Sequence, residues 1–185
     1  LLQRCTKTKQ LSVTRHLHAL SVKVQLDKVP ILADHLIRMF AECESLYEAN
    51  LVFQKVDEPN VHTWNAFIAA HIALGETDRV FEIFEHMIHE GTHPDKFIYM
   101  SIMKVCCNAG DLAQARSIHE QLVNSKFEVD VMMGSTLVDM YAKCGSIDLA
   151  CEVFNHMPSR DKVTWNAMIG AHVHDRNGAS ALKIF

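Results

Sequence analysis

Thr63-Trp64-Asn65-Ala66 and Thr164-Trp165-Asn166-Ala167 are the same four residues, set 101 positions apart. The match spreads outward from them. Ala70-His71 falls on Ala171-His172, and Val52-Phe53 on Val153-Phe154. Cys5, Leu11, Arg15 and His18 fall on Cys106, Leu112, Arg116 and His119. Shifting the 185-residue chain by 101 gives 84 overlapping pairs without a gap, and 22 of them are identical. That is several times the chance level, so one structural unit is copied whole.

The long period divides into three. Turn-like residues close segments at Val29, Asn60, Asp95, Asp130 and Asp161. The segments 30–60, 61–95, 96–130 and 131–161 hold 31, 35, 35 and 31 residues, with partial ones at 1–29 and 162–185. Two of 35 and one of 31 make up the 101. Each segment reads as two helices. In 61–95 the first apolar stripe is Trp64, Phe67, Ile68 and Ile72, and Gly75 breaks it. The second is Val80, Ile83, Phe84, Met87 and Ile88, one face at helical spacing, stopped by Gly91 and Pro94. In 96–130 the break is Ala109-Gly110-Asp111, and Leu112, Ala115, Ile118 and Leu122 follow. In 131–161 it is Cys144-Gly145-Ser146, with Ser146 expected as an N-cap. Ile147, Ala150, Val153, Phe154 and Met157 follow, and Pro158 ends the helix. A lone hairpin cannot bury its apolar face, so stacking on neighbours must supply the core: an all-α solenoid.

Composition agrees. Hydrophobic residues make up 49% of the chain, enough for a core, while 7 Gly and 4 Pro are too few for a turn-rich β architecture. No apolar run reaches the ~18 residues of a membrane span. The net charge of −4 argues mildly against holding nucleic acid by bulk electrostatics. The charge is uneven: residues 1–29 carry six Lys or Arg against one acid, and 61–95 one base against six acids. Cys5, Cys43, Cys106, Cys107, Cys144 and Cys151 form no C-x-x-C pair and sit among apolar residues. They read as buried small hydrophobes in a reducing compartment. The chain opens at Leu1 without a secretory signal and stops at Phe185 inside a helical pattern. Both ends read as cut, and any targeting segment is expected outside them.

Trp165-Asn166-Ala167-Met168-Ile169 and Met140-Tyr141-Ala142-Lys143-Cys144-Gly145-Ser146, followed by Ala150, Val153-Phe154 and Met157-Pro158, closely resemble pentatricopeptide repeat proteins. The alternation of 35, 35 and 31 is similar to their plant PLS class. In that likeness 61–95 and 162–185 are standard repeats, 1–29 and 96–130 long ones, and 30–60 and 131–161 short ones. The resemblance implies a right-handed α-solenoid whose first helices line a concave face. Each standard or short repeat would read one base of single-stranded RNA, the chain running parallel to the RNA. The fifth and last residues of a repeat would choose the base, and the second would pack on its face. Such reading is physically sound, because an unpaired base can be splayed out and hydrogen-bonded on its edge.

Carried over by position, the pair in 61–95 is Asn65 and Asp95, similar to the uracil-preferring combination. In 131–161 it is Ser135 and Asp161, similar to the guanine-preferring one. Asn166 is a pyrimidine type. Asp34 and Asn60 in 30–60 depart from the common combinations. Long repeat 96–130 offers Met100 and Asp130, and Met cannot read a base edge. The base-packing positions are Ile31, His62, Phe97, Met132 and Val163, with His62 atypical. Plainer roles stand beside these. Asn65 and Asn166 fall where Asn can cap a helix, and Asp95, Asp130 and Asp161 where Asp begins a turn. Trp64 and Trp165 share the helical phase of the apolar stripe and are expected in the core. Arg4, Lys7, Lys9, Arg15 and Lys23 suit phosphate contacts or a solvated face equally.

Chemistry is not expected. His86, His89 and His93 share nearly one helical face, but without Cys pairs or H-E-x-x-H no metal site is expected. His18 and His119 hold equivalent places, which predicts a shared packing role. The H-x-E and P-C-x-x-C of a cytidine deaminase are missing, as are phosphate loops and G-x-S-x-G. No catalytic activity and no cofactor are expected. The resemblance implies a parental role in C-to-U editing of mitochondrial or chloroplast transcripts, with RNA-editing accessory proteins as further partners. The alternative is a protein-binding scaffold of the tetratricopeptide kind. The acidic charge favours it, while its 34-residue period does not fit. The truncated last hairpin predicts head-to-tail self-association through an uncovered apolar face.

Overall fold

The computed structural model describes residues 11–125 and 127–174. Among them are ten helices and no strand. The helices are α1 (Leu11–Lys23), α2 (Pro30–Glu42), α3 (Leu46–Phe53), α4 (Val61–Ala73), α5 (Asp78–His89), α6 (Lys96–Ala109), α7 (Leu112–Asn124), α8 (Val131–Lys143), α9 (Ile147–His156) and α10 (Lys162–His174). Among the described residues no helix is long and apolar enough to cross a membrane. The chain divides into two compact units, 1–98 and 99–185, with the divide in the first turn of α6.

Local chemistry starts and stops these helices. Pro30 opens α2 at a position where its missing N–H costs nothing. Asn60 caps α4 by accepting from the amides of His62 (2.9 Å) and Thr63 (3.1 Å). Asp130 caps α8 through Met133 N–H at 2.9 Å, and Asp111 caps α7 through Ala113 and Gln114. These satisfy donors that a helix start otherwise leaves open. Ser146 differs from expectation. It holds the cap position of α9, but its hydroxyl makes no capping bond. Its backbone has φ -111 and ψ 81, whereas the side-chain caps Asn60, Asp111 and Asp130 have φ between -76 and -88.

At the turn between helices Gly145 takes φ +77, and Ser146 N–H then reaches Tyr141 O at 2.9 Å. Its counterpart 101 residues earlier is Glu44, forced into φ 59 while Ser45 N–H reaches Phe40 O at 2.9 Å. A side chain in this left-handed region costs about 1–2 kcal/mol, which glycine avoids. Glu44→Gly is therefore expected to stabilise the chain by about 1 kcal/mol, raising Tm by roughly 2–4 °C. A melting curve with no gain would show that Glu44's own interactions offset the strain.

In the first unit α2 packs on α3 and α4, and α4 packs on α3 and α5. Leu36, Ile37 and Phe40 from α2, Val52 from α3, Trp64 and Ile68 from α4, and Val80 and Met87 from α5 are buried. Phe53 lies flat on Phe67 at 3.9 Å and meets Trp64 edge-on at 4.7 Å, tying one hairpin to the next. In the second unit α8 packs on α9 and α10, and α7 reaches α8. Met133, Leu137, Val138, Tyr141, Ala150, Phe154 and Met168 are buried there. The apolar stripes read from the sequence hold along their centres, while Ile72, Ile83, Leu112, Ile147 and Val153 are half-buried at the edge and Ile88 is exposed.

The two tryptophans separate. Trp64 is 1% exposed, as expected, between Phe53 and the ring of His86. Trp165 is 39% exposed, against expectation. It keeps the counterpart of the first contact, Phe154 at 4.9 Å. The described residues supply no counterpart of the second.

His18 and His119 do share a packing role. Each meets, edge-on, the residue at one repeated position: Phe40 at 5.8 Å and Tyr141 at 5.5 Å. Tyr141 adds a hydroxyl 2.8 Å from His119 Nδ1. Burial pulls both imidazoles below their ordinary range. The cysteines are less uniform than expected. Among the described ones only Cys106 is fully buried, its thiol pushed up to about 12 by burial. Cys43, Cys107, Cys144 and Cys151 are half-buried. Periodicity marks the apolar face but not where its edge lies. Cys5 lies outside the described residues.

Candidate nucleic-acid interface

The closing residue of each segment caps the next helix, so the last and second positions fall beside one another by construction. Asn60, Asp95, Asp130 and Asp161 precede α4, α6, α8 and α10 directly. The second residues of the first helices are then Ile31, His62, Phe97, Met132 and Val163. All five are exposed. The four apolar ones are between 54% and 70% exposed, although hydrophobic residues of this size normally turn inward.

In the second unit these positions converge. A cleft of about 600 Å³ is lined by Met132, Ser135, Asp161, Val163 and Asn166, together with Met100 and Lys104. Met132 and Val163 give it apolar sides, and Ser135, Asp161 and Asn166 give it polar groups. Asn166 is exposed and sits a full turn inside α10, so it is no cap; Asp161 holds that place. Asp161 Oδ1 accepts from Thr164 N–H and from Thr164 Oγ1, both at 2.9 Å. The amide and then the hydroxyl of Thr164 hold its carboxyl below the usual carboxylate range. Ser135 approaches the same oxygen at 3.4 Å, so the predicted pair is in contact. Its hydroxyl is more engaged than a rotatable reader would be. It lies 2.7 Å from Val131 O and 2.6 Å from Thr164 Oγ1, and Ser135 is only 5% exposed.

In the first unit Asn65 is half-buried, one turn into α4. It is not the cap, because Asn60 is. Asp95 Oδ1 accepts from Ile98 N–H at 2.9 Å, which fixes the start of α6. Asp34 gives its carboxylate to Arg38 at 2.8 Å, one turn along α2. No hydrogen bond among the described residues joins Asn65 to Asp95, or Asp34 to Asn60. Of the basic residues, Arg15 commits its guanidinium to Glu48, Nε to Oε1 at 2.7 Å, and Lys23 is exposed at the end of α1. Arg4, Lys7 and Lys9 lie outside the described residues.

Sequence reasoning passed over Thr164, Lys104 and Arg38. The signal for Thr164 was on the page: Thr three residues after a capping Asp is where a hydroxyl can share the cap. A second cleft of about 500 Å³ runs past His119, Tyr141, Glu152 and Met157 and takes none of the predicted residues.

Helical hairpins that repeat an exposed residue at the second place of the first helix and a polar closing residue at its start define a modular repeat protein. The description "PPR repeat family" matches residues 59–108, and "PPR repeat" matches 97–127, 135–161 and 163–185. The chain belongs to the PPR repeat family. A mitochondrial pentatricopeptide repeat-containing protein of Arabidopsis thaliana is 34% identical over 91% of this chain and 16% of its own length. A chloroplastic one from the same plant is 32% identical over 100% of this chain and 30% of its own. The chain thus spans less than a third of either relative. Among solved structures, the pentatricopeptide repeat protein PPR10 in complex with an 18-nt psaJ RNA element superimposes with a TM-score of 0.77 at 17% identity, covering 100% of this chain and 28% of that one. The PPR domain of Arabidopsis thaliana protein-only RNase P 1, in complex with tRNA, gives 0.65 at 15% identity, covering 84% and 86%. These likenesses establish the fold, an α-solenoid.

Proposed function

We propose that this chain binds single-stranded RNA with base selectivity, one base to each standard or short repeat, the repeats being bounded at 30–60, 61–95, 96–130 and 131–161. The observation that carries this is the cleft of the second unit. Two exposed apolar side chains, Met132 and Val163, flank three polar groups, Ser135, Asp161 and Asn166. A splayed base needs that combination: apolar surface for its faces and fixed polar groups for its edge. Asn65 with Asp95 takes uracil, Ser135 with Asp161 takes guanine, and Asn166 takes a pyrimidine. Asp34, tied to Arg38, contributes little with Asn60.

The order of repeat types is that of the PLS class. The protein containing this chain works in a mitochondrion or chloroplast, selecting sites for C-to-U editing alongside accessory proteins. The organellar names of the Arabidopsis relatives support the compartment. The repeats supply recognition rather than catalysis, and self-association would run head to tail. The net charge of −4 favours a protein-binding scaffold as the second reading.

Selection from single-stranded RNAs randomised over about eight nucleotides separates the two. Uracil two positions before guanine should be enriched, because one long repeat lies between 61–95 and 131–161. Binding should weaken only modestly with salt, since bases rather than phosphates supply the contacts. Absence of any enrichment would turn the assignment toward a protein partner.

A further inference from the structure

Two hydroxyls and one carboxylate meet at the wall of the cleft of the second unit, Thr164 behind Ser135 and Asp161, and their protons can be counted. Thr164 is fully buried. Its Oγ1 stands 2.6 Å from Ser135 Oγ and 2.9 Å from Asp161 Oδ1. Asp161 N–H returns a bond to Thr164 Oγ1 at 3.3 Å. The bonds from Thr164 and Ser135 all end on Oδ1. That leaves Oδ2, with the Val163 amide beside the carboxyl, as the oxygen less engaged on a residue that lines the cleft. The single proton of Thr164 goes to the charged oxygen, the stronger acceptor. The single proton of Ser135 is then taken by Thr164 Oγ1 or by Val131 O, 2.7 Å away. Either way Ser135 has no proton to give a ligand and keeps only a lone pair.

The Ser135–Asp161 pair therefore presents acceptors alone, while Asn166 and Lys104 elsewhere in the lining can donate. On the Watson–Crick edge guanine offers two adjacent donors, N1–H and N2–H₂; adenine, cytosine and uracil each offer a single donor group there. The other closing residues lack this device. Three positions after Asp95 and Asp130 stand Ile98 and Met133, which bring no hydroxyl. The copy at Asn60 has Thr63, but the hydroxyl is longer, at 3.3 Å, and Asp34 there turns to Arg38.

We infer that Thr164 is a positioning residue for base choice at 131–161: its hydroxyl fixes Asp161 through Oδ1 and leaves Ser135 an acceptor, so the cleft takes a base edge with two donors. This rests on the base-reading role proposed above.

The full chain tests it, with four RNAs that differ only at the nucleotide facing 131–161. Thr164→Val keeps the shape and removes the hydroxyl. It should lower the preference for guanine about fivefold or more, the effect of one hydrogen bond at a buried site. The uracil preference of 61–95 should stay, and Thr164→Ser should restore guanine. Thr63→Val, which disturbs the same kind of cap in the other unit, should leave the guanine preference intact. Thr164→Ala serves if the valine variant does not keep native helix content. If Thr164 variants keep the preference while Ser135→Ala or Asp161→Asn loses it, the inference is overturned and the base-reading role stands. If Ser135→Ala and Asp161→Asn change nothing, or the parent chain shows no preference, the base-reading role fails and the inference with it.

Discussion

Trp64→Ala is expected to cost the first unit about 3–5 kcal/mol, the range for emptying a buried aromatic site, while Trp165→Ala costs the second about 1 kcal/mol. The two residues sit in one repeated tetrapeptide, flanked by His62 and Phe67 in one copy and by Val163 and Met168 in the other. Trp64 is enclosed by Phe53 on one side and His86 on the other. Its removal leaves a void beside Phe53 and His86, which rigid neighbouring helices can close only in part. Trp165 keeps one such neighbour, Phe154, and the rest of its ring faces outward. Urea unfolding followed by circular dichroism measures both costs. Because the chain has two tryptophans, one in each unit, the fluorescence of the remaining one reports whether the other unit still melts as before. Equal costs would mean that Trp165 is covered as Trp64 is.

Asn65→Ala and Asp95→Ala are expected to part binding from stability. Asn65 makes no cap, so its loss should weaken discrimination for uracil by roughly tenfold, about 1.4 kcal/mol of edge contact, and leave Tm where it was. Asp95 also holds Ile98 N–H at the start of α6. Its loss should remove the same discrimination and lower stability by about 1 kcal/mol, as lost caps do. Competition binding with RNAs carrying each base at one position, beside melting curves of the free variants, gives the four numbers. A lower Tm for Asn65→Ala would assign that residue to the scaffold. Unchanged discrimination with both variants would remove 61–95 from the reading array.

Much of the architecture was legible because it is local. A helical stripe repeats every three or four residues, and a cap reaches only two or three residues on. Asn60, Asp95, Asp130 and Asp161 could therefore be seen as segment ends, and they stand at helix starts. The exposure of Ile31, Phe97, Met132 and Val163 follows from the same register, since the second residue of a capped helix is held off the buried stripe. The cleft was legible only in part. Its lining was assembled from positions in a resemblance, and Ser135, Asp161, Asn166, Met132 and Val163 do meet there. Lys104 carried no sign of its own, because it does not differ locally from a solvated lysine, and the spacing of Thr164 from Asp161 pointed to a shared cap but not to a contact with Ser135.

By itself the sequence determined the hairpins, their punctuation and the places where polar pairs stand, since each depends on neighbours a few bonds or one turn away. Only the tertiary structure decided what those places are worth. Ser135 and Thr164 are 29 positions apart, and packing α8 against α10 brings their hydroxyls to 2.6 Å. Asp34, the counterpart of Ser135, is instead claimed by Arg38. Trp64 and Trp165 share one tetrapeptide, and Trp64 is covered by a ring, His86, that stands on another helix.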